Sequence, residues 1–357
     1  MDEQDYWLAL SKTRLPPRVV LSLLERLGSP AAVFEADLDS LMEVPGVGEA
    51  SARRLVGLRS TLDLSADKRT LERNNIEMVT FFEERYPRHL RTIYDPPPML
   101  FLRGTLLPQD QSAVAMVGSR RTSPYGLTMA RTLARDLARA GVTVVSGLAV
   151  GADAAAHWGA LEAGGRTIAF AACGIDVPYP PANKELLQRI PNQGAILSEY
   201  PLGSPALKQV FHGRNRLISG STLATVVIEA PERSGALISA DHALEQGRQV
   251  FVVPGDPSSP TASGSNALLR EGALPVERAS DILMALGLGG PPEEAPSAPA
   301  LGPEEARVYS LLGAKPLYPD QIIEASGLSA QQVGANLVRL ELRGLARRLP
   351  GGVFVRE

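Results

Sequence analysis

Two apolar strands, each ending in a glycine turn, constrain this chain more than any other feature in it. Val114-Ala115-Met116-Val117 runs without polar alternation, as a strand covered on both faces does, and ends in Gly118-Ser119-Arg120-Arg121. Pro124 stands where a helix begins, and Met129, Leu133 and Leu137 follow at helical spacing. A second apolar run, Val142 to Val145, ends in Ser146-Gly147-Leu148-Ala149-Val150-Gly151. Strand, turn, helix, strand, turn predicts a parallel pair with both turns side by side at the carboxyl ends of the strands, where such sheets bind ligands. Glycine lets backbone approach an anion, Ser119 adds a hydroxyl, and the following helix starts bring unpaired N–H groups. With the charge of Arg120 and Arg121, this is a phosphate site in outline.

The same alternation continues. Asp153 to Leu161 fits a helix, and Thr167 to Ala172, Ala195 to Glu199, Ala224 to Ile228 and Gln249 to Val253 read as further strands. A loop carrying Gly174, Asp176, Tyr179 and Asn183 follows the third strand, and Phe211 to Gly220 turns from polar and basic to apolar, as at a helix start. Ser234-Gly235-Ala236-Leu237 opens another helix. Strands alternating with helices predict an α/β fold, a Rossmann-like parallel sheet covered on both faces and running over about residues 66–286. Ahead of it, Asn74-Asn75 reads as a turn into a short strand, and Met99 to Gly104 as another strand, both packing the edge of this domain. Tyr86-Pro87 and Asp95-Pro96-Pro97-Pro98 cannot be helix interior, because proline lacks the donor and clashes with the preceding turn.

The ends differ from the middle. Residues 1–65 read as an all-helical unit, with Val19, Val20, Leu23, Leu24 and Leu27 as a helical stripe stopped by Gly28. Val44-Pro45-Gly46-Val47-Gly48 resembles a helix-hairpin-helix turn of the SAM-like kind; it either presents N–H groups to a nucleic-acid phosphate or is an ordinary tight turn in a docking domain. Residues 287–303 are a linker by composition. Residues 304–357 read as three helices and a hairpin, a winged helix, whose Arg339, Arg343, Arg347 and Arg348 are the candidate surface for duplex DNA or for a docked protein.

Composition excludes several functions. The formal net charge is −3, so any nucleic-acid site is a local patch rather than a property of the whole chain. One cysteine, Cys173, excludes an intrachain disulfide and a cysteine-rich zinc site, and the four histidines show no metal-ligand spacing; no metal or cofactor is expected. Met1 is followed by Asp2, Glu3 and Asp5 rather than a basic start and an apolar run, and no stretch reaches membrane-span length, so a soluble, cytoplasmic protein is expected. There is no GxxxxGK[ST] and no GxGxxG around Gly118. Ser146, Asp153 and His157 form a hydrolase set only on paper, since no GxSxG elbow surrounds Ser146. The basic constellation is the sharper signal: Arg120 and Arg121 from the first turn, Arg214 and Arg216 from what reads as a strand-end loop, and Lys208 upstream. Arginine grips phosphate with a planar fork, so these residues predict a groove or pocket for a polyanion, either a nucleotide or a DNA strand.

The chain resembles the DNA processing protein A (DprA/Smf) family through motifs in order: Tyr86-Pro87 with Asp95-Pro96-Pro97, VGSRRTSPYG from Val117, SGLAVGADAAAH from Ser146, CGIDVPYPPAN from Cys173, SEYPLG from Ser198, RNRLISG from Arg214, EAPERSGALISA from Glu229, GRQVFVVPG from Gly247 and NALLREGA from Asn266. His212-Gly213 stands where the family usually has proline and one variable residue. The resemblance implies a homodimeric, non-enzymatic protein that binds and protects incoming single-stranded DNA and loads RecA recombinase onto it during natural transformation. It implies phosphate contacts from Gly118, Ser119, Arg120, Ser146, Gly147, Lys208, Arg214, Asn215 and Arg216, with Arg121 beside them. The competing readings are a nucleoside-monophosphate phosphoribohydrolase on the same core, with Glu229 and Pro231 to Ala236 at its phosphate loop, and an adaptor for single-stranded DNA in repair.

Overall fold

The apolar runs become strands because their side chains are covered on both faces, and the glycine and proline positions between them set where each strand stops. The structure, a computed structural model, describes residues 1–288, 301–313, 316–349 and 351–356. Its strands are β1 (Glu77–Thr80), β2 (Met99–Gly104), β3 (Ala113–Val117), β4 (Thr143–Ser146), β5 (Thr167–Phe170), β6 (Gly194–Ser198), β7 (Ala224–Val227), β8 (Gln249–Val252) and β9 (Leu274–Pro275). They form one sheet in the order β1-β2-β6-β5-β4-β3-β7-β8-β9. From β6 to β9 all neighbours are parallel, whereas β1 pairs with β2 and β2 with β6 antiparallel, so the two early strands close one edge as expected. The chain leaves β3 toward β4, β5 and β6 and returns on its other side as β7, which makes the carboxyl ends of β3 and β7 the topological switch point.

Alternate residues of each strand serve opposite faces. Val114, Met116, Val144, Val226 and Phe251 pack under the helices Pro124–Arg139, Ala152–Glu162 and Ala279–Ala285. Ala115, Val117, Val145, Val227 and Val250 pack under Lys208–Gly220, Gly235–Glu245 and Ser263–Arg270. The N-terminal helices do not close a separate core. Trp7, Leu23, Leu41 and Leu55 share one continuous apolar cluster with Phe101, Ala169 and Ile196 of the sheet.

The C-terminal segment is built from Val308, Ile322, Val333, Leu337, Leu340 and Phe354, with helices Pro303–Leu311, Pro319–Ser326 and Ala330–Leu342 and the hairpin β10 (Ala346–Arg348) and β11 (Phe354–Arg356), the expected winged helix. Most of the expected linker, residues 289–300, lies outside the described residues.

Four of the described helices were not anticipated: Ser65–Arg73, Lys184–Gln193, Ser263–Arg270 and Ala279–Ala285. Ser65–Arg73 buries only Leu71 and so carries no apolar stripe. Lys184–Gln193 contains Pro191, a residue that argues against helix from sequence. The helix start expected within Phe211 to Gly220 needs a correction: Lys208 to Gly220 is helix throughout, so Lys208, Arg214, Asn215 and Arg216 are helical residues rather than members of a strand-end loop.

Close helix packing fixes one testable position. A Cβ on Gly159 would stand 2.2 Å from the Arg131 carbonyl oxygen of the neighbouring helix. Gly159→Ala therefore should lose stability, because about 1–3 kcal/mol of overpacking outweighs an alanine propensity gain of about 1 kcal/mol; urea unfolding measures the sign.

Candidate nucleic-acid interface

The two glycine turns do come together. A Cβ on Gly151 would meet the Ser119 carbonyl oxygen at 2.4 Å, and the Ala152 N–H donates to that same oxygen at 3.3 Å. Above them lies a cleft of about 770 Å³ at the switch point. Gly118 to Arg121 form one side, the first half of the helix Lys208–Gly220 another, and Pro231 to Ala236 the third.

Several of the N–H groups expected to be free at this cleft are taken by carboxylates of the chain itself. Glu229, buried just beyond β7, accepts from the Ser123 N–H at 2.8 Å and the Ser123 hydroxyl at 2.6 Å, at the start of the helix Pro124–Arg139. Its carbonyl oxygen takes the Ser119 N–H at 2.7 Å. In the second turn Asp153 Oδ2 accepts from Gly147 N at 3.1 Å and Ala149 N at 3.3 Å. Burial pushes the Asp153 carboxyl upward, and the nearby Arg214 charge works against that shift. Both positions where backbone would seat a phosphate therefore hold an acidic side chain of the chain itself.

Of the expected contacts, Ser146 and Arg216 are directed away from the cleft, and Gly147 lies in a small recess beside it with Arg120, Tyr179 and Phe211. Ser146 is fully buried and its hydroxyl donates to the Met116 carbonyl oxygen at 2.6 Å. Gly147 is buried too; a Cβ there would lie 2.4 Å from Arg214 Nη1, so glycine is what admits the guanidinium. Arg216 points away from the cleft into an ion triad, with Nε 2.9 Å from Asp95 Oδ2 and Nη2 2.6 Å from Glu199 Oε2. Burial raises the Glu199 carboxyl, and Arg216 is the main influence lowering it.

Arg214 lines the cleft floor at 3% exposure. Its Nη1 donates to the carbonyl oxygens of both Gly147 and Phe170, at the carboxyl ends of β4 and β5. Burial lowers its pKa, with Asp153 the largest influence in the other direction. The turn it holds is strained at Leu148, a buried residue at φ +61°, whose carbonyl oxygen accepts from the Asn183 side chain at 2.7 Å.

The exposed cations on the cleft are Arg120, Arg121, Lys208 and Arg233, with Asn215 half-buried between them. Arg120 lies over the Phe211 ring at 4.8 Å, and Tyr179 approaches that ring at 5.8 Å. Sequence reasoning missed Phe211, Tyr179 and Arg233 as site residues. Once Lys208–Gly220 is known to be helix, spacing alone finds Phe211: Lys208, Phe211 and Asn215 fall on one face at i, i+3 and i+7.

The remaining candidates lie away from the cleft. On the winged helix Arg339 and Arg348 are exposed, while Arg343 pairs with Glu305 at 3.0 Å. In the hairpin turn Gly46 adopts φ +86° and Arg53 pairs with Glu49 at 2.6 Å. The hydrolase set does not assemble, since His157 Nδ1 bonds Thr167 Oγ1 at 2.7 Å and Ser146 bonds backbone.

Residues 77–287 match the profile of DNA recombination-mediator protein A, residues 292–352 the DprA winged helix domain, and residues 17–56 the SAM-like helix-hairpin-helix tandem. The chain belongs to the DprA/Smf family. It is 32% identical to the Smf protein of Synechocystis sp. over 99% of both chains. It is 42% identical to DprA of Streptococcus pneumoniae over 57% of this chain and 72% of that one. The crystal structure of the S. pneumoniae protein superposes with a TM-score of 0.70, covering 80% of this chain and 98% of that chain at 34% identity. DNA processing protein A of Helicobacter pylori, whose structure describes a single-stranded DNA binding mode, gives a TM-score of 0.54 over 59% of this chain and 95% of that one, at 32% identity. Within the family, the motif residues Asp95, Glu199 and Arg216 are seen here to converge on one ion triad. No described helix is long and apolar enough to cross a membrane.

The buried histidine sets a pH dependence. Burial lowers the His157 pKa from 6.5 to about 3, so the unfolded chain takes the proton first as pH falls. The contribution of neutral His157 is complete above pH 6.5 and is lost progressively as pH falls toward 3. Its share of the acid slope is at most about 1.4 kcal/mol per pH unit. Urea unfolding should show a smaller loss between neutral and acid pH for His157→Phe than for the unsubstituted protein.

Proposed function

We propose that this protein binds single-stranded DNA along the switch-point cleft and, as a homodimer, protects it and loads RecA recombinase onto it in natural transformation. The observation that carries the reading is the pairing of four exposed cations with an aromatic pair, Phe211 and Tyr179, in one cleft. Cations follow the phosphate backbone while aromatic faces stack bases, the combination that holds a single strand without reading its sequence. Arg120, Arg121, Lys208 and Arg233 make the phosphate contacts, and Gly118, Ser119 and Asn215 shape the path between them. Arg214 acts from beneath by keeping the floor in place. Family membership and the single-stranded DNA described for the H. pylori protein support the same reading.

The phosphoribohydrolase reading is less well supported, because the Glu229 carboxylate is engaged by Ser123 rather than presented to the cleft. Action in repair rather than transformation uses the same cleft and differs only in where the strand comes from.

The salt dependence of oligonucleotide binding tests the assignment. Four phosphate contacts at about 0.7 each give a log–log slope near −2.8 for single strands. Arg120→Ala/Lys208→Ala should bring the slope to about −1.4 by the same count, with thermal stability unchanged. Arg216→Ala should behave oppositely: removing one partner of a buried ion group costs about 3–5 kcal/mol of stability and leaves the slope alone. Fluorescence anisotropy at several salt concentrations, with urea unfolding alongside, separates these outcomes. A slope near zero for the unsubstituted protein contradicts the cleft assignment, and a RecA filament-assembly assay on coated strands then tests the loading step.

A further inference from the structure

A second cavity, of about 540 Å³, opens on the sheet face that carries the helix Lys208–Gly220, and it shares no lining residue with the cleft. Its volume lies within the range of small-molecule sites, roughly 300–1,000 Å³. Val145, Ile168, Phe170 and Leu197, each at most 4% exposed, close its inner end, from β4, β5 and β6. Tyr86 and Pro87 form one wall, and Leu106, Leu107 and Pro108 another.

The polar groups at its rim are mostly committed. Glu83 is held by Arg85 at 2.8 Å and Asp110 by Arg166 at 2.7 Å. The Tyr86 hydroxyl donates to the Pro97 carbonyl oxygen at 2.8 Å, and His89 Nε2 bonds the Gln111 carbonyl oxygen at 3.0 Å. Burial lowers the His89 pKa, which keeps that ring neutral near pH 7. The remaining charged residues at the rim, Glu84 and Arg88, are exposed and opposite in sign. Arg85 is shared by Glu77 and Glu83, so the mouth offers no surplus of positive charge to an anion, and burying an ion against the apolar inner end would be costly. Inside, the Ser221 hydroxyl donates to the Ile218 carbonyl oxygen at 3.1 Å, which leaves its oxygen to accept one hydrogen bond.

We propose that this cavity is a binding site for a small, uncharged, largely apolar molecule carrying one hydrogen-bond donor, a flat aromatic or short acyl compound whose donor meets Ser221. The site stands independently of the DNA reading, since neither its residues nor its chemistry overlap the cleft.

N-phenyl-1-naphthylamine has this chemistry: two neutral aromatic bodies and one N–H. Titrated into the full-length protein, it should give saturable fluorescence enhancement at a single site. Ile168→Phe and Leu106→Trp, which fill the recess from its inner end and its wall, should each weaken binding by about ten-fold or more, the equivalent of about 1.4 kcal/mol. Circular dichroism and retained oligonucleotide binding show that both variants are folded. Arg120→Ala/Lys208→Ala should bind the probe as the unsubstituted protein does, and oligothymidine should not displace it. The anionic analogue 8-anilino-1-naphthalenesulfonate should bind at least about ten-fold more weakly. The proposal is overturned if the neutral probe fails to bind, if it binds undiminished to either folded filling variant, if oligothymidine displaces it, or if the anionic analogue binds equally well.

Discussion

The cleft depends on one buried guanidinium. Arg214 enters the sheet from a helix, passes a glycine that alone leaves it room, and donates to carbonyl oxygens at the ends of β4 and β5. Parallel strands end in carbonyl groups with no further partner in the ladder, and the cation gathers two of them while Asp153 answers its charge from the other side. Asp153 in turn takes the N–H groups of the turn after β4. Cation, carbonyls, carboxylate and strained Leu148 thus form one closed polar unit under the cleft. Closed networks of this kind rigidify a site, and each member is costly to leave unpartnered.

This arrangement changes what an anion meets there. In many α/β proteins the glycine turn and helix start seat a phosphate directly on backbone N–H groups. Here Glu229 takes the Ser123 N–H and Asp153 those of Gly147 and Ala149, so the charge that meets a polyanion comes from side chains on long, exposed stems. Flexible cations and an aromatic platform suit a continuous strand that must be held without regard to sequence, better than they suit one phosphate fixed for chemistry. The triad of Asp95, Arg216 and Glu199 anchors the following turn of the same helix to the polypeptide ahead of β2 and to the end of β6, so the helix bearing Lys208 and Phe211 is pinned at its buried end.

Much of this was legible in the sequence because buried parallel strands announce themselves. Six apolar runs and their glycine turns located the sheet and its carboxyl edge, and the early strands were recognised as its border. The winged helix was readable from helical spacing and a glycine turn between short apolar runs. What failed was the direction of charged side chains. Arg214 and Arg216 look alike in sequence, two apart in a basic stretch, yet one underlies the cleft and the other turns into an ion triad whose acids, Asp95 and Glu199, lie 121 and 17 residues earlier in the chain. Ser146 and Gly147 read as phosphate contacts because their spacing is right, and only the structure shows the hydroxyl spent on Met116. Phe211 was passed over because Gly213 and the surrounding polarity hid that the helix already begins at Lys208 and places Phe211 on the same face.

The central claim is that a single strand lies across Phe211 and Tyr179 with its phosphates on the surrounding cations. Photocrosslinking an oligonucleotide that carries 5-iodouracil, followed by peptide mapping, tests this most directly, because the reaction favours aromatic side chains stacked on the base. The account predicts adducts on Phe211 or Tyr179. Adducts confined to the winged helix around Arg339 to Arg348, or to the hairpin turn around Gly46, would contradict it.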